Sequence, residues 1–203
     1  MISKLATYMK PSPNCNKRVG TVKKIAIHHA ATVNASLEGI GNVFANPARR
    51  ASSNYAIDCS GNIACYVEEN YRAWTTGNDV DEEAITIEVA NSKGAPNWEV
   101  SDKALAALID LCVDICDRYD IEKLVFTDKS GNVVIHKWYQ ATACPGPYLE
   151  SKIPYVVNEV NKRREKPVED KLYRVQVGAF REKANAEALV KKLKADGYDA
   201  IIK

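Results

Sequence analysis

The first sustained apolar run is Val22-Lys23-Lys24-Ile25-Ala26-Ile27-His28. It is β-branched, ends in polar residues and predicts a strand. Ser36 to Ala45 predicts a helix, with Ser36 as its N-cap and Asn46-Pro47 as its stop. Short strands are predicted at Asn54–Asp58, Asn62–Val67 and Ala84–Ala90, the first two joined by a turn at Ser60-Gly61-Asn62. Leu105, Leu108, Cys112, Ile115 and Tyr119 recur at helical spacing behind a Ser101 cap. A strand at Asn132–His136 and a helix at Ile153–Arg163, burying Val156, Val157 and Val160, complete the pattern. Strands alternating with helices predict an α/β fold, a central mixed β-sheet flanked by helices.

Residues 161–171 are dense in charge, contain Pro167 and read as a linker after a domain spanning 1–160. The remaining segment, 172–203, has its own pattern. Tyr173 to Val177 alternates as a strand, and Ala186, Leu189, Val190 and Leu193 mark a helix face. Gly197 sits where a helix ends on a left-handed residue, and Asp199 to Ile202 begins a second strand. A β-α-β piece of about thirty residues buries too little apolar surface to fold alone. Pairing two such tails, one from each of two chains, would cover the exposed strand edges, so a homodimer through 172–203 is expected. The competing outcome is a monomer whose tail packs on the first domain or frays.

Composition narrows the picture. Of the 203 residues, 46% are hydrophobic and 27% charged, which excludes wholesale disorder. No apolar run is long enough to cross a membrane. Met1 to Lys10 has no apolar core of a secretory signal, so synthesis in the cytoplasm without export is expected. The net charge of +2 gives no case for nucleic acid. Charge is uneven, however. Residues 161–203 hold 12 Lys and Arg against 7 Asp and Glu, while the rest hold 16 against 19. A basic tail on an acidic body suits an anionic partner such as a cell-wall polymer, or is a solvated linker and helix.

Six cysteines stand at 15, 59, 65, 112, 116 and 144, and in a chain of this size without an export signal they read as reduced. Cys112 and Cys116 lie within a helical apolar pattern, as small hydrophobes. Three histidines can be weighed singly. His28 and His136 each close a strand, and Cys144 follows eight residues after His136, in Ala143-Cys144-Pro145-Gly146-Pro147. Two imidazoles and a thiolate make a three-ligand zinc set, although spacing alone leaves ordinary packing open. His29 points to the opposite face from His28 and reads as structural. In Ala84–Ala90, Ile85, Ile87 and Val89 share one face and Thr86, Glu88 and Ala90 the other. A carboxylate there is costly unless used or paired. Glu88 is either a general base beside the metal or the partner of a Lys or Arg at the sheet edge.

Five motifs occur in a fixed order: Ile25-Ala26-Ile27-His28-His29-Ala30-Ala31, Ser53-Asn54-Tyr55-Ala56-Ile57-Asp58, Arg72-Ala73-Trp74-Thr75-Thr76-Gly77-Asn78, Ile85-Thr86-Ile87-Glu88-Val89 and His136 to Pro147. Together, over about residues 20–160, they resemble the zinc N-acetylmuramoyl-L-alanine amidases of the phage-endolysin and peptidoglycan-recognition type. The resemblance implies zinc held by His28, His136 and Cys144, with Glu88 as the catalytic carboxylate. It also implies that Thr142, two residues before the cysteine, polarises the scissile carbonyl. Two positions depart from many relatives, which carry His where this chain has Thr75 and Asn54; both departures are expected to alter the cleft wall. Tyr55 is expected in the core or cleft wall. The tail, Leu172 to Phe180 with Ala184, Ala188, Leu189, Leu193 and Gly197, resembles part of a SPOR domain. That is a ribonucleoprotein-like fold that binds glycan strands stripped of stem peptides. The resemblance implies a peptidoglycan hydrolase, an endolysin or autolysin, acting on the wall after release from the cytoplasm. The alternatives are a non-catalytic peptidoglycan-binding module on the same fold, or a cytoplasmic amidase recycling wall fragments. The ligand set and Glu88 weigh against the first, and the glycan-binding tail against the second.

Overall fold

Alternation of large and small side chains along the central strands decides how the sheet is covered. The computed structural model describes residues 1–165 and 175–202. Two units are distinguished, Met1–Glu165 and Lys166–Lys203.

The first unit contains β1 (Ala6–Met9), β2 (Cys15–Lys17), β3 (Lys24–Val33), α1 (Leu37–Ala45), β4 (Tyr55–Ile57), β5 (Ile63–Cys65), β6 (Tyr71–Ala73), β7 (Ala84–Asn91), α2 (Asp102–Arg118), β8 (Val133–Ile135) and α3 (Pro147–Arg164). The main sheet runs β1-β5-β4-β7-β3-β8. Only β4 and β5 pair antiparallel in it, so the sheet is mixed. β2 and β6 form a separate antiparallel pair.

One face of the sheet carries Ile25, Ile27, Tyr55, Ile57, Ile85, Ile87, Val89, Val133 and Ile135 against α2 and α3. Each such aliphatic side chain, when fully buried, stabilises by roughly 1.5–3 kcal/mol. The opposite face carries smaller or polar residues. Ala56 and Ala64 pack under Leu37, Ile40 and Phe44 of α1, while Ala26, Ala84 and Val134 cluster with Val80. Because α1 covers only part of this face, His28 and Glu88 are left beside an opening.

Helix ends follow the local chemistry. Ser36 accepts from the Gly39 amide and Ser101 from the Ala104 amide, both N-caps. α3 begins six residues before the predicted Ile153, because Gly146 at φ +80 turns the chain and Pro147 fills a first-turn position that needs no amide hydrogen. Pro154, inside the helix, interrupts the helical pattern in the sequence and hides that first turn. β3 runs past its predicted end at His28 to Val33, through an irregularity between His29 and Val33. β1, β2 and β6 have no sustained apolar run, and their strand state comes from pairing with neighbours rather than from their own pattern.

Tyr55 lies wholly in the core. Its hydroxyl donates to Glu69 at 2.6 Å and accepts from the Ser3 amide at 2.7 Å. Glu69, 1% exposed, also accepts from Tyr119 and from both terminal nitrogens of Arg118. Removing one partner from such a buried network strands the others. Glu69→Ala should therefore lower the unfolding free energy by about 3 kcal/mol in a denaturant titration; a loss below about 1 kcal/mol would show the pairing to be worth no more than a surface one.

In the second unit the described residues hold one helix, α4 (Lys183–Ala195). It ends as predicted on Gly197, at φ +87. The Gly197 amide donates to Lys194 and the Tyr198 amide to Leu193, the paired bonds of a Schellman cap. The predicted flanking strands differ from the structure. Val175–Val177 and Asp199–Ile202 join no ladder among the described residues, while Tyr173 and Arg174 lie outside them. Alternation alone does not make a strand. Without a hydrogen-bonded neighbour these segments take no regular structure, with Val175 82% and Ile201 71% exposed. The predicted linker at 161–171 also falls largely outside the described residues, after α3 has continued to Arg164.

Candidate metal centre

β3, β7 and β8 lie side by side, and their register gathers the site. His28 on β3 is the register partner of Glu88 on β7, so both side chains leave the same face. Ile27 pairs with Ile135 of β8, which brings His136, the next residue, beside His28. The two imidazole rings are 4.9 Å apart between centroids, tilted by 59°. Cys144 enters from the loop before α3, its Sγ 3.5 Å from His28 Nδ1. One ligand atom from each of His28, His136 and Cys144 lies within 4.8 Å of the others.

The cysteine loop is fixed locally. The Cys144 amide donates to Thr142 Oγ1 at 3.2 Å, and the Lys137 amide donates to the Cys144 carbonyl at 3.1 Å. Gly146 is favoured by its φ of +80, and a Cβ there would also stand close, 3.1 Å from Trp98 Cβ and 3.2 Å from the His29 ring. His29, on the other face from His28, packs edge-on against Trp98 at 5.5 Å between centroids and props this loop.

Burial sets the electrostatics. His28, 1% exposed, is held well below its ordinary pKa by desolvation and then by the other two histidines. His136 is lowered by burial, and burial raises the Cys144 thiol. Burial pushes Glu88 up to about 8, opposed only by the charge of Arg49. Glu88 is mostly buried, and its buried Oε2 has no hydrogen-bond partner, nor do His28 Nε2 and His136 Nε2. Two imidazoles and a thiol, with one ligand atom of each within 4.8 Å of the others, fit a divalent cation of zinc type. Its charge would reverse the local preference for neutral forms.

A prediction follows for the metal-free protein. Glu88 binds its proton more tightly folded than unfolded. Its contribution is therefore full below about pH 4.5 and is lost as pH rises through about 8. The three histidines shift the other way. Their contribution is full above about pH 6.5 and is lost on acidification. In chelator, the thermal midpoint should fall between about pH 6.5 and 8, and Glu88→Gln should flatten that limb. A wild-type midpoint that holds or rises across this window would contradict the assignment.

The centre opens into a cleft of about 790 Å³. Thr142, Glu88, His136 and Cys144 line it, together with Ile40, Val43 and Phe44 of α1, and with Arg49, Ser52, Trp74 and Thr75. Sequence reasoning missed Arg49, which sits in a connecting segment with no periodic pattern. Of the two departures expected at the cleft wall, Thr75 is there, its hydroxyl donating to the Ser52 carbonyl at 2.7 Å. Asn54 is not. It is fully buried, donating to the Val67 carbonyl and accepting from the Thr86 amide. An asparagine there ties strands together instead of facing the opening.

Comparison with known proteins agrees with this geometry. A family profile described as N-acetylmuramoyl-L-alanine amidase matches residues 18–147. A second profile, SPOR domain, matches residues 169–203. Among solved structures, a mutant endolysin from Bacillus subtilis superposes with a TM-score of 0.60 at 20% identity, covering 79% of this chain and 99% of that one. The amidase LysC from Clostridium intestinale gives 0.52 at 20% identity, with 68% and 87% covered. The PlyG catalytic domain gives 0.61 at 17% identity, with 81% and 98% covered. At these identities the likeness shows the fold. No curated sequence is matched by this chain.

Proposed function

This chain belongs to the N-acetylmuramoyl-L-alanine amidase family, and from that premise we propose that it is a zinc-dependent hydrolase of the bacterial wall. The bond cleaved is the amide between the lactyl group of N-acetylmuramic acid and L-alanine. The observation that carries this reading is the convergence of His28, His136 and Cys144 beside Glu88 at the floor of an open cleft.

His28, His136 and Cys144 would hold the ion, the histidines already neutral as ligation requires. When bound, zinc supplies Lewis-acid polarisation of the scissile carbonyl and brings the pKa of a water towards about 7. Glu88 takes a proton from the attacking water and returns it to the departing alanine nitrogen. The C–O bond forms first and the C–N bond then breaks, leaving a lactyl carboxylate and a free amine. Thr142 accepts from the Cys144 amide, which leaves its hydroxyl hydrogen free to donate to the carbonyl oxygen as negative charge grows there.

The SPOR segment, residues 169–203, would hold the enzyme on glycan already stripped of peptides. The protein would accumulate in the reducing cytoplasm and reach the wall after release. All six cysteines are free; counting thiols in denatured protein from its native source should give six, and a disulfide would refute the cytoplasmic stage. Digestion of purified walls tests the activity itself. New alanine amino termini without new reducing sugar ends are expected. Binding to walls with no new termini would support a binding module instead.

A further inference from the structure

The second unit leaves its apolar residues open. Val175, Val177, Phe180, Tyr198, Ile201 and Ile202 are all exposed, six large apolar side chains within the 28 described residues 175–202. The first unit exposes nine within 165. Apolar side chains that densely exposed mark an interaction site rather than ordinary surface.

α4 organises these residues. Ala186, Leu189, Val190 and Leu193 recur along one helix face and are half-buried, while Lys183, Glu187, Lys191, Lys192 and Lys194 are exposed. Before α4 the chain lies against this face at Gly178, where a Cβ would stand 2.8 Å from the Phe180 ring and 3.2 Å from Leu189 Cδ2. After α4 the cap at Gly197 turns the chain, the Tyr198 amide donating to the Leu193 carbonyl at 2.9 Å. Val175–Val177 and Asp199–Ile202 thus flank the helix, and neither joins a ladder among the described residues.

We propose that this unit pairs with the same unit of a second copy, making the protein a two-fold dimer through residues 175–202. The unit spans Lys166–Lys203, 38 residues. Below about 40 residues a fold usually needs disulfides, a metal or oligomerisation. Residues 166–203 contain no Cys and no His, which leaves oligomerisation. A glycan is a poor occupant for the exposed set, because Tyr198 alone among those six side chains carries a polar group. What the flanking segments lack is a strand to take up their backbone N–H and C=O groups. Two copies bring four such segments and two helices, and an isologous contact requires no other molecule. Antiparallel pairing centred on Gln176 sets Val175 of each copy opposite Val177 of the other, so all four valines share one face. The contact does not depend on the hydrolase reading; where that reading holds, the two catalytic units are tethered to the wall together.

Light scattering on the full chain at high micromolar concentration should give twice the 22.5 kDa of one chain. Val177→Lys and Ile201→Lys replace side chains that are 63% and 71% exposed in the single chain, so they should leave it folded while halving the measured mass. Val19→Lys, at a valine of the first unit that is 89% exposed, should leave two chains together. Hydrogen exchange on the unaltered protein gives a reading free of any substitution: the amides of residues 175–177 should be protected in concentrated samples and lose that protection on dilution. A mass of one chain for the unaltered protein, a dimer that survives both tail substitutions, a dimer lost equally with Val19→Lys, or exchange at 175–177 that ignores concentration would each overturn the proposal.

Discussion

Glu88→Gln should slow wall hydrolysis by about 10²–10⁴-fold, the usual contribution of a positioned acid–base group, with metal content and fold retained. Glutamine keeps the size of the side chain and one acceptor oxygen. It cannot take a proton from water or deliver one to an amine. Glu88 is held on β7 by full pairing with β3 and β4, so the substitution should not disturb the strand. It should also be tolerated thermodynamically. In the metal-free protein the carboxyl is pushed towards its neutral form, and glutamine is neutral at every pH. Release of alanine amino termini from purified walls, followed at saturating zinc, gives the rate; circular dichroism and metal analysis give the controls. Rates within a few-fold of the unaltered protein would assign Glu88 to structure.

Cys144→Ser should abolish metal retention. Protein purified in limiting zinc should carry about one ion per chain, and the variant essentially none, with affinity lower by more than about 100-fold. Altering only the groups that hydrogen-bond to metal ligands already costs about 10–100-fold, which sets that bound. A thiol pushed up by burial still ionises when a cation arrives, because the ion's charge outweighs the desolvation that raised it. A serine hydroxyl starts several units higher and offers a poorer donor. The loop itself should survive, since it is held through backbone groups and Gly146 rather than through sulfur. Activity should fall with the metal and return little on adding zinc. A full zinc complement in Cys144→Ser would remove the cysteine from the ligand set and leave the two histidines needing another partner.

Much of this was legible from residues alone, for a physical reason. Strand alternation is a two-residue periodicity, so the sequence alone assigns Ile85, Ile87 and Val89 to one face and Glu88 to the other. Helices α1 and α2 were legible through Ser36, Ser101 and their apolar spacing, because capping and periodicity are local. The motifs containing His28, His136 and Cys144 were legible as chemistry, yet their distances to one another were not. Those distances come from the order β7-β3-β8, which is settled by pairing between segments far apart in the chain.

What only the tertiary structure decided has the same origin. β1, β2 and β6 exist because neighbours supply hydrogen-bond partners, and the tail's alternating residues, lacking such partners among the described residues, form no ladder. The burial that raises Glu88 and lowers His28 depends on what packs over the sheet. Arg49 became a cleft residue only once buried Asn14 and Ser52 fixed the turn that carries it. Local propensity and periodicity are written residue by residue along the chain. Pairing, desolvation and the convergence of distant side chains are properties of the packed molecule.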